Sequence, residues 1–279
     1  MIKPVLQGNA FLKDVLRAKH DTEQLHLWWL GQSGFLIQWR GRHLLMDPYL
    51  SDSLTRKYEN TAKPHVRMTE QVIAPERLDF VDIVTSSHNH TDHLDSETLI
   101  PLWQVNPRLR VIVSRANLNF AAERLRVSPA RLTPIHADGE VIPMDPFTFH
   151  AIPSAHETLE QDEHGDHRYI GFLVQVGKWT IYHSGDCVFY DGLLERLQRW
   201  EIDIALLPIN GRDPRRGVAG NFSTEEAAQL GKQIGVGLVI PCHYEMFEFN
   251  TVSPKAFVRA AEEIEQNYRL LQCGERLDL

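Results

Sequence analysis

Three histidines and an aspartate crowd six consecutive positions of this chain: His88, His90, Asp92 and His93. A neutral imidazole and a hard carboxylate oxygen are the ligand types that hold Zn, Mn or Fe in hydrolytic sites, and core packing gives no reason to gather them. One such cluster cannot close two coordination shells, so further ligands are expected at other strand ends. Three candidates stand in such places. His156 follows the strand-like run 147–152 in Pro153-Ser154-Ala155-His156. Asp186 closes the run 179–186 behind Gly185, whose missing Cβ allows close backbone approach. His243 follows the apolar run 237–242. Together these make seven candidate ligands at four strand termini.

The elements that must position them can be read from periodicity. If Asp82 to Ser86 is a buried strand, its period of two carries His88 and His90 out on one side. Asp92 and His93 then follow on the turn into the next helix and face a second ion. Segments 24–30, 33–40 and 43–46 are short, β-rich and separated by Gly31, Gly34 and Gly41, as consecutive antiparallel strands would be. After the metal-type cluster, strands alternate with helices. Helix is expected over 95–103 and 116–125, at a start on Ser223 with Glu226 three residues on, and over about 253–266. Strands are expected over 111–114, 204–207 and 237–240.

The pattern H-x-H-x-D-H, then a later His, a Gly-Asp and a final His resembles the metallo-β-lactamase superfamily. Within it the chain is similar to the branch that holds L-ascorbate-6-phosphate lactonase and related metal-dependent hydrolases. Leu27 to Gly34, Met46-Asp47-Pro48, Tyr182 to Asp186, Ile202 to Leu206 and Val239 to Tyr244 carry the closer likeness, over about residues 24–265. The resemblance implies a four-layer αββα sandwich, two mixed sheets face to face with helices outside and the site at one edge. It also implies that His88, His90 and His156 hold one metal, that Asp92, His93 and His243 hold another, and that Asp186 bridges them. Asp47 matches a superfamily position near the site and is expected to orient a ligand histidine; as an Asp-Pro it also suits a turn. Bound metal lowers the pKa of water to about 7, so a nucleophile arises without a Ser-His-Asp system. Asp92 and Asp186 thereby count as catalytic as well as ligating. One or two divalent ions are expected: the lactonase resemblance raises manganese, the superfamily at large zinc, and the donor set also admits iron. That lactonase is longer, with insertions between the early strands and before Gly-Asp, so its substrate does not transfer with the fold.

Other residues leave alternatives open. His183 stands three before Asp186; strand alternation points it away, so a core role competes with proton transfer. The loop 210–221 carries Arg212, Arg215 and Arg216 among glycines. It fits an anion site in which Asn210 and Arg212 reach the pocket, or a solvated turn whose arginines pair with nearby acids. Tyr244 could hydrogen-bond substrate or form an aromatic wall. The acidic, histidine-bearing segment 157–169 is placed to act as a lid. Phe247-Glu248-Phe249 fits a pocket lining or a contact between copies in a homo-oligomer.

Composition bounds the rest. At 279 residues, 43% hydrophobic and 24% charged, with no linker or repeat, the chain reads as one compact enzyme domain spanning 1–279. A net charge of −8 disfavours tracking nucleic acid, whose binding rests on basic side chains. The N-terminus has no apolar export segment and no stretch is long enough to cross a membrane, so cytoplasm is expected. Cys187, Cys242 and Cys273 lack paired spacing and read as free core thiols. The leading expectation is a metal-dependent hydrolase of a small anionic ester, a sugar-phosphate lactone first among them. A phosphodiesterase or nuclease comes second. A non-hydrolytic diiron module comes third, because the redox relatives place Glu where this chain has His90 and attach a flavin domain.

Overall fold

The computed structural model describes all 279 residues. Two mixed sheets form its centre. The first has seven strands: β1 (His26–Gly31), β2 (Gly34–Trp39), β3 (Arg42–Met46), β4 (Ile83–Ser86), β5 (Arg110–Ser114), β6 (Leu132–Ile135) and a C-terminal β13 (Arg276–Asp278). Their order is β13-β1-β2-β3-β4-β5-β6, antiparallel up to β3 and parallel from β3 onward. The second has six: β7 (Val141–Met144), β8 (Phe147–Pro153), β9 (Ile170–Val176), β10 (Trp179–His183), β11 (Ile204–Pro208) and β12 (Leu238–Cys242). Here β7 to β10 pair antiparallel and β10 to β12 parallel. Each sheet therefore has an antiparallel half and a parallel half.

The strands at the centre read as unbroken apolar runs because both faces are covered. Every residue of β1 and β2 is buried, as is every residue of β4 and β11, the signature of strands between two layers rather than at a wet surface. The sheets touch through Trp39 at the end of β2, which fills the space above Gly177: a Cβ there would lie 2.6 Å from its ring. Helices α1 (Gly8–Ala18), α2 (Ser53–Tyr58), α3 (Ser96–Val105), α4 (Leu118–Leu125), α5 (Leu193–Leu197), α6 (Thr224–Gln233) and α7 (Pro254–Glu263) complete the α/β sandwich. No helix is long and apolar enough to cross a membrane.

Local chemistry explains the boundaries. Asp95 caps α3 rather than opening it, accepting from Glu97 N at 3.2 Å, so the helix begins one residue later than the pattern suggests. Ser223 and Glu226 form a full capping box on α6. The expected helix from 116 starts as a short 3₁₀ turn at Arg115–Asn117, and regular α4 begins at Leu118. Helix α1 was not evident from the sequence; it packs Phe11 against Trp28, whose Nε1 donates to Asp14 at 2.9 Å. The three cysteines are buried and unpaired.

Candidate metal centre

Strand ends from both sheets meet at one edge, and the candidate ligands leave from those ends. His88, His90, Asp92 and His93 follow β4, His156 follows β8, Asp186 follows β10 and His243 follows β12. His88 and His90 are not brought together by strand pleating, since β4 ends at Ser86. A turn gathers them instead: the amides of His93 and Leu94 both donate to the His90 carbonyl, at 3.1 and 2.8 Å. The rings of His88 and His90 stand 4.6 Å apart.

Asp186 lies between two sets of imidazoles. Its Oδ2 is 3.3 Å from His156 Nε2 and 4.0 Å from His88 Nε2. Its Oδ1 is 3.2 Å from His93 Nε2 and 3.5 Å from His243 Nε2. Asp92 Oδ2 closes the second set, 3.8 Å from His93 Nε2 and 3.6 Å from His243 Nε2. The donor atoms of His88, His90, His156 and Asp186 lie within 4.8 Å of one another, and so do those of Asp92, His93 and His243. His88 Nε2, His93 Nε2 and Asp186 Oδ1 are buried without a hydrogen-bond partner. Buried polar atoms are almost always satisfied, so these orphaned atoms, aimed at a common centre, fit divalent cations.

The outer nitrogens of His88, His93 and His156 are held by the protein. Asp47 Oδ2 accepts from His93 Nδ1 at 2.7 Å, and its Oδ1 accepts from Ser87 N at 3.0 Å. Ser87 Oγ contacts both Asp47 and His88 Nδ1, the latter at 3.0 Å. His156 Nδ1 donates to the Gly220 carbonyl at 2.7 Å. Each of these bonds leaves Nε2 as the free lone pair directed inward, the arrangement a metal-binding histidine requires.

Backbone strain and close approach mark the same edge. Gln32, Asp47 and His243 have φ of 49°, 39° and 65°, a region that side-chain-bearing residues seldom adopt. Gly185 has φ of 59°, and a Cβ there would meet Ser87 Cβ and Oγ at 2.7 Å. The glycine lets the end of β10 press onto the end of β4, which brings Asp186 among the histidines.

The charges in the cluster are strongly coupled. Burial raises the Asp92 and Asp186 carboxyls, but His93 and His243 outweigh it and hold both below the usual range. Burial opposes protonation of His243, yet Asp186 and Asp92 push it up to about 9. His90, desolvated and facing His156, falls to about 4. Such a set of interlocked acids and bases is what a shared cation would replace.

Several residues expected near substrate stand elsewhere. His183 is buried, with Nε2 donating to the Ser33 carbonyl at 3.0 Å, so it ties β10 to the β1–β2 turn and does not face the cluster. Tyr244 is buried against Trp29, with ring centroids 4.4 Å apart, and its hydroxyl donates to the Leu271 carbonyl. Arg212 pairs with Glu226 of the α6 capping box. Asn210 is buried, linking Asn221 at 2.9 Å and Asn250 at 3.0 Å. Arg215 pairs with Asp213, and Arg216 donates to the Asn210 carbonyl at 2.6 Å. The arginines of the 210–221 loop thus brace the loop, which reaches the site through the Gly220 carbonyl and lines the cavity with Gly217, Val218, Ala219 and Asn221. The segment 157–169 is anchored at its C-terminal end, where Ser114 holds the His167 carbonyl and Asn117 that of Arg168 at 2.6 Å, and Tyr169 packs its ring 5.2 Å from His88 and 5.6 Å from His156.

A cavity of about 330 Å³ opens above the cluster, lined by His90, Asp92, His156, Asp186 and His243 on its floor. Lys57, Lys63, His65 and Arg124 share its wall with Asn89, Asn221, Asn250 and Phe247. Phe247 therefore lines the pocket. The cations were not singled out in the sequence because α2, the segment after it and α4 show no motif. Gln32 also went unassigned although it lies in the Gly-Gln-Ser-Gly turn; its Nε2 reaches Asp92 Oδ2 at 2.8 Å and His243 Nε2 at 2.9 Å. The polar pair Gln32-Ser33, buried in the turn between two largely apolar strands, was the available signal.

Comparisons with known proteins agree with this geometry. The profile of the β-lactamase superfamily domain matches residues 26–243. A UPF0173 metal-dependent hydrolase of Metallosphaera sedula is 25% identical over 260 residues, covering 90% of this chain and 98% of the relative. Among solved structures, the metallo hydrolase Igni18 of Ignicoccus hospitalis superposes with a TM-score of 0.66 at 18% identity, over 92% of this chain and 98% of the other. An isothiocyanate hydrolase from Delia radicum gut bacteria gives 0.68 at 21% identity, over 90% and 98%. The chain therefore belongs to the β-lactamase superfamily.

Proposed function

We propose that the chain is a two-metal hydrolase of a small anionic ester, with a phosphorylated sugar lactone as the leading substrate class. The observation that carries this reading is Asp186, whose two oxygens face separate histidine sets beneath one cavity. His88, His90 and His156 would hold one ion, Asp92, His93 and His243 the other, and Asp186 both. Divalent cations bound there would supply a hydroxide nucleophile at neutral pH and polarise the oxygen of the group under attack. The all-nitrogen-and-oxygen donor set suits Mn, Zn or Fe, with Cys187 and Cys242 kept out as buried thiols whose ionisation burial opposes.

The cavity wall argues for an anion. Lys57, Lys63 and Arg124 line it without a carboxylate partner: Lys57 rests on Tyr58, Lys63 donates to the Gly217 carbonyl and Arg124 to that of Asn89. Cations left unpaired beside a site are free to bind a phosphate or carboxylate on the substrate. The size of the space suits a metabolite rather than a polymer.

Protein loaded separately with Mn and Zn should open a phosphorylated sugar lactone faster than it cleaves an activated phosphodiester, with His90→Ala as the blank. The reverse preference would replace the ester reading with a phosphodiesterase.

A further inference from the structure

We propose that His65 is a further catalytic residue, the group that hands a proton to the departing oxygen of the ester; this rests on the hydrolase reading above. His65 follows α2 and lines the same cavity as His90, Asp92, His156, Asp186 and His243. It lies outside the candidate ligand groups.

Its ring is fixed on every side the protein reaches. Tyr58 stacks on it at 4.3 Å and 21°, and Phe249 and Phe247 meet it edge-on at 4.4 and 5.1 Å. Nδ1 lies 2.9 Å from the Lys63 carbonyl. A carbonyl only accepts, so Nδ1 carries the hydrogen in the neutral ring and Nε2 keeps the lone pair. The protein offers Nε2 no partner. An imidazole clamped at one nitrogen by a backbone carbonyl, with the other open to a reaction cavity, is the geometry of a proton carrier.

The surrounding charges suit that task. Burial lowers the proton affinity of His65, while the Lys63 carbonyl and Asp92 partly restore it; Lys57 and Lys63 oppose protonation. From the other side the 247–249 segment presents Phe247 and Phe249, and Glu248 between them is exposed. The ring therefore rests neutral at neutral pH and can take up a proton without keeping it.

The step balances. Attack forms a bond from hydroxide oxygen to the acyl carbon, the acyl–oxygen bond to the leaving group breaks, and its electron pair stays on that oxygen. Nε2 passes its proton there and returns to neutral. The resting ring carries no hydrogen on Nε2; Nε2 gains it from water as the hydroxide forms, and that same proton is the one returned to the leaving oxygen, so no further reactant is needed.

The test compares metal-loaded wild type and His65→Gln on two phosphate-bearing esters of one acid, an alkyl ester and a nitrophenyl ester. The alkoxide needs a proton to leave and the nitrophenoxide does not. The alkyl ester should lose about 100-fold or more in kcat, within the range of general acid–base catalysis. The nitrophenyl ester should lose less than about fivefold, and the limb of the pH–kcat profile due to His65 should vanish. Equal losses on both esters, or none on either, would overturn the role. Wild-type failure on both would instead remove the hydrolase reading and this step with it. Nitrogen NMR of histidine-labelled wild type gives a check that needs no variant: the neutral ring should carry its hydrogen on Nδ1, and a hydrogen on Nε2 would overturn the proposal.

Discussion

At the scale of single residues, the site depends on groups that never touch an ion. Asp47 fixes the His93 ring through Nδ1 and is itself held by Ser87. Asp47→Asn should weaken metal binding about 10- to 100-fold, as loss of such orienting partners typically does; competition with a chromophoric chelator measures it, and unchanged affinity would show that His93 needs no support. The wall cations make a second prediction. Lys57→Ala and Lys63→Ala should each raise KM for an anionic ester and spare a neutral analogue, whereas Arg212→Ala, whose partner is Glu226, should leave both within about twofold. A strong Arg212 effect would place that side chain in the pocket. The metal-type residues were legible because their types and spacing have no other reason to coincide. The choice among arginines was not, because an arginine among glycines looks the same whether it faces substrate or an acid on the next helix.

At the scale of elements, two features decide whether the ligands meet. Gly185→Ala puts a Cβ where Ser87 stands and demands a left-handed backbone, so the ends of β4 and β10 must separate. A loss of roughly 1–3 kcal/mol in urea unfolding is expected, together with weaker metal binding; wild-type values for both would show that the close approach is dispensable. His43 on β3 tests the core. Burial first, then Lys19 and Arg42, lowers it from 6.5 to about 4, and Asp82, 4.0 Å from its Nδ1, does not offset this. The unfolded chain therefore binds the proton more readily, and stability present above pH 6.5 is lost as pH falls toward 4. The full shift corresponds to on the order of 3 kcal/mol. Urea midpoints at pH 7 and pH 4.5 should differ more in wild type than in His43→Gln; the same difference in both would contradict it. Alternating strands and the α6 cap were readable in sequence because each rests on local chemistry. Helix α1 and strand β13 were not, since what fixes each is tertiary contact with β1, which β13 meets from the other end of the chain.

At the scale of the molecule, two facing sheets place four strand termini, those of β4, β8, β10 and β12, around one cavity. Chain order scatters the ligands from His88 to His243, and the topology gathers them. That convergence was expected from the resemblance, and the approach of the 210–221 loop from its own residues, while the rest of the cavity wall came only from the arrangement of α2, the segment after it, α4 and the 247–250 turn, which no sequence period announces. The most direct test is a metal titration of turnover. Protein stripped by chelation and titrated with Mn or Zn should gain hydrolysis of a phosphorylated lactone up to about two equivalents, and Asp186→Ala should stay inert at any loading. Turnover that survives chelation, or that Asp186→Ala retains, would contradict a hydrolytic centre bridged by Asp186.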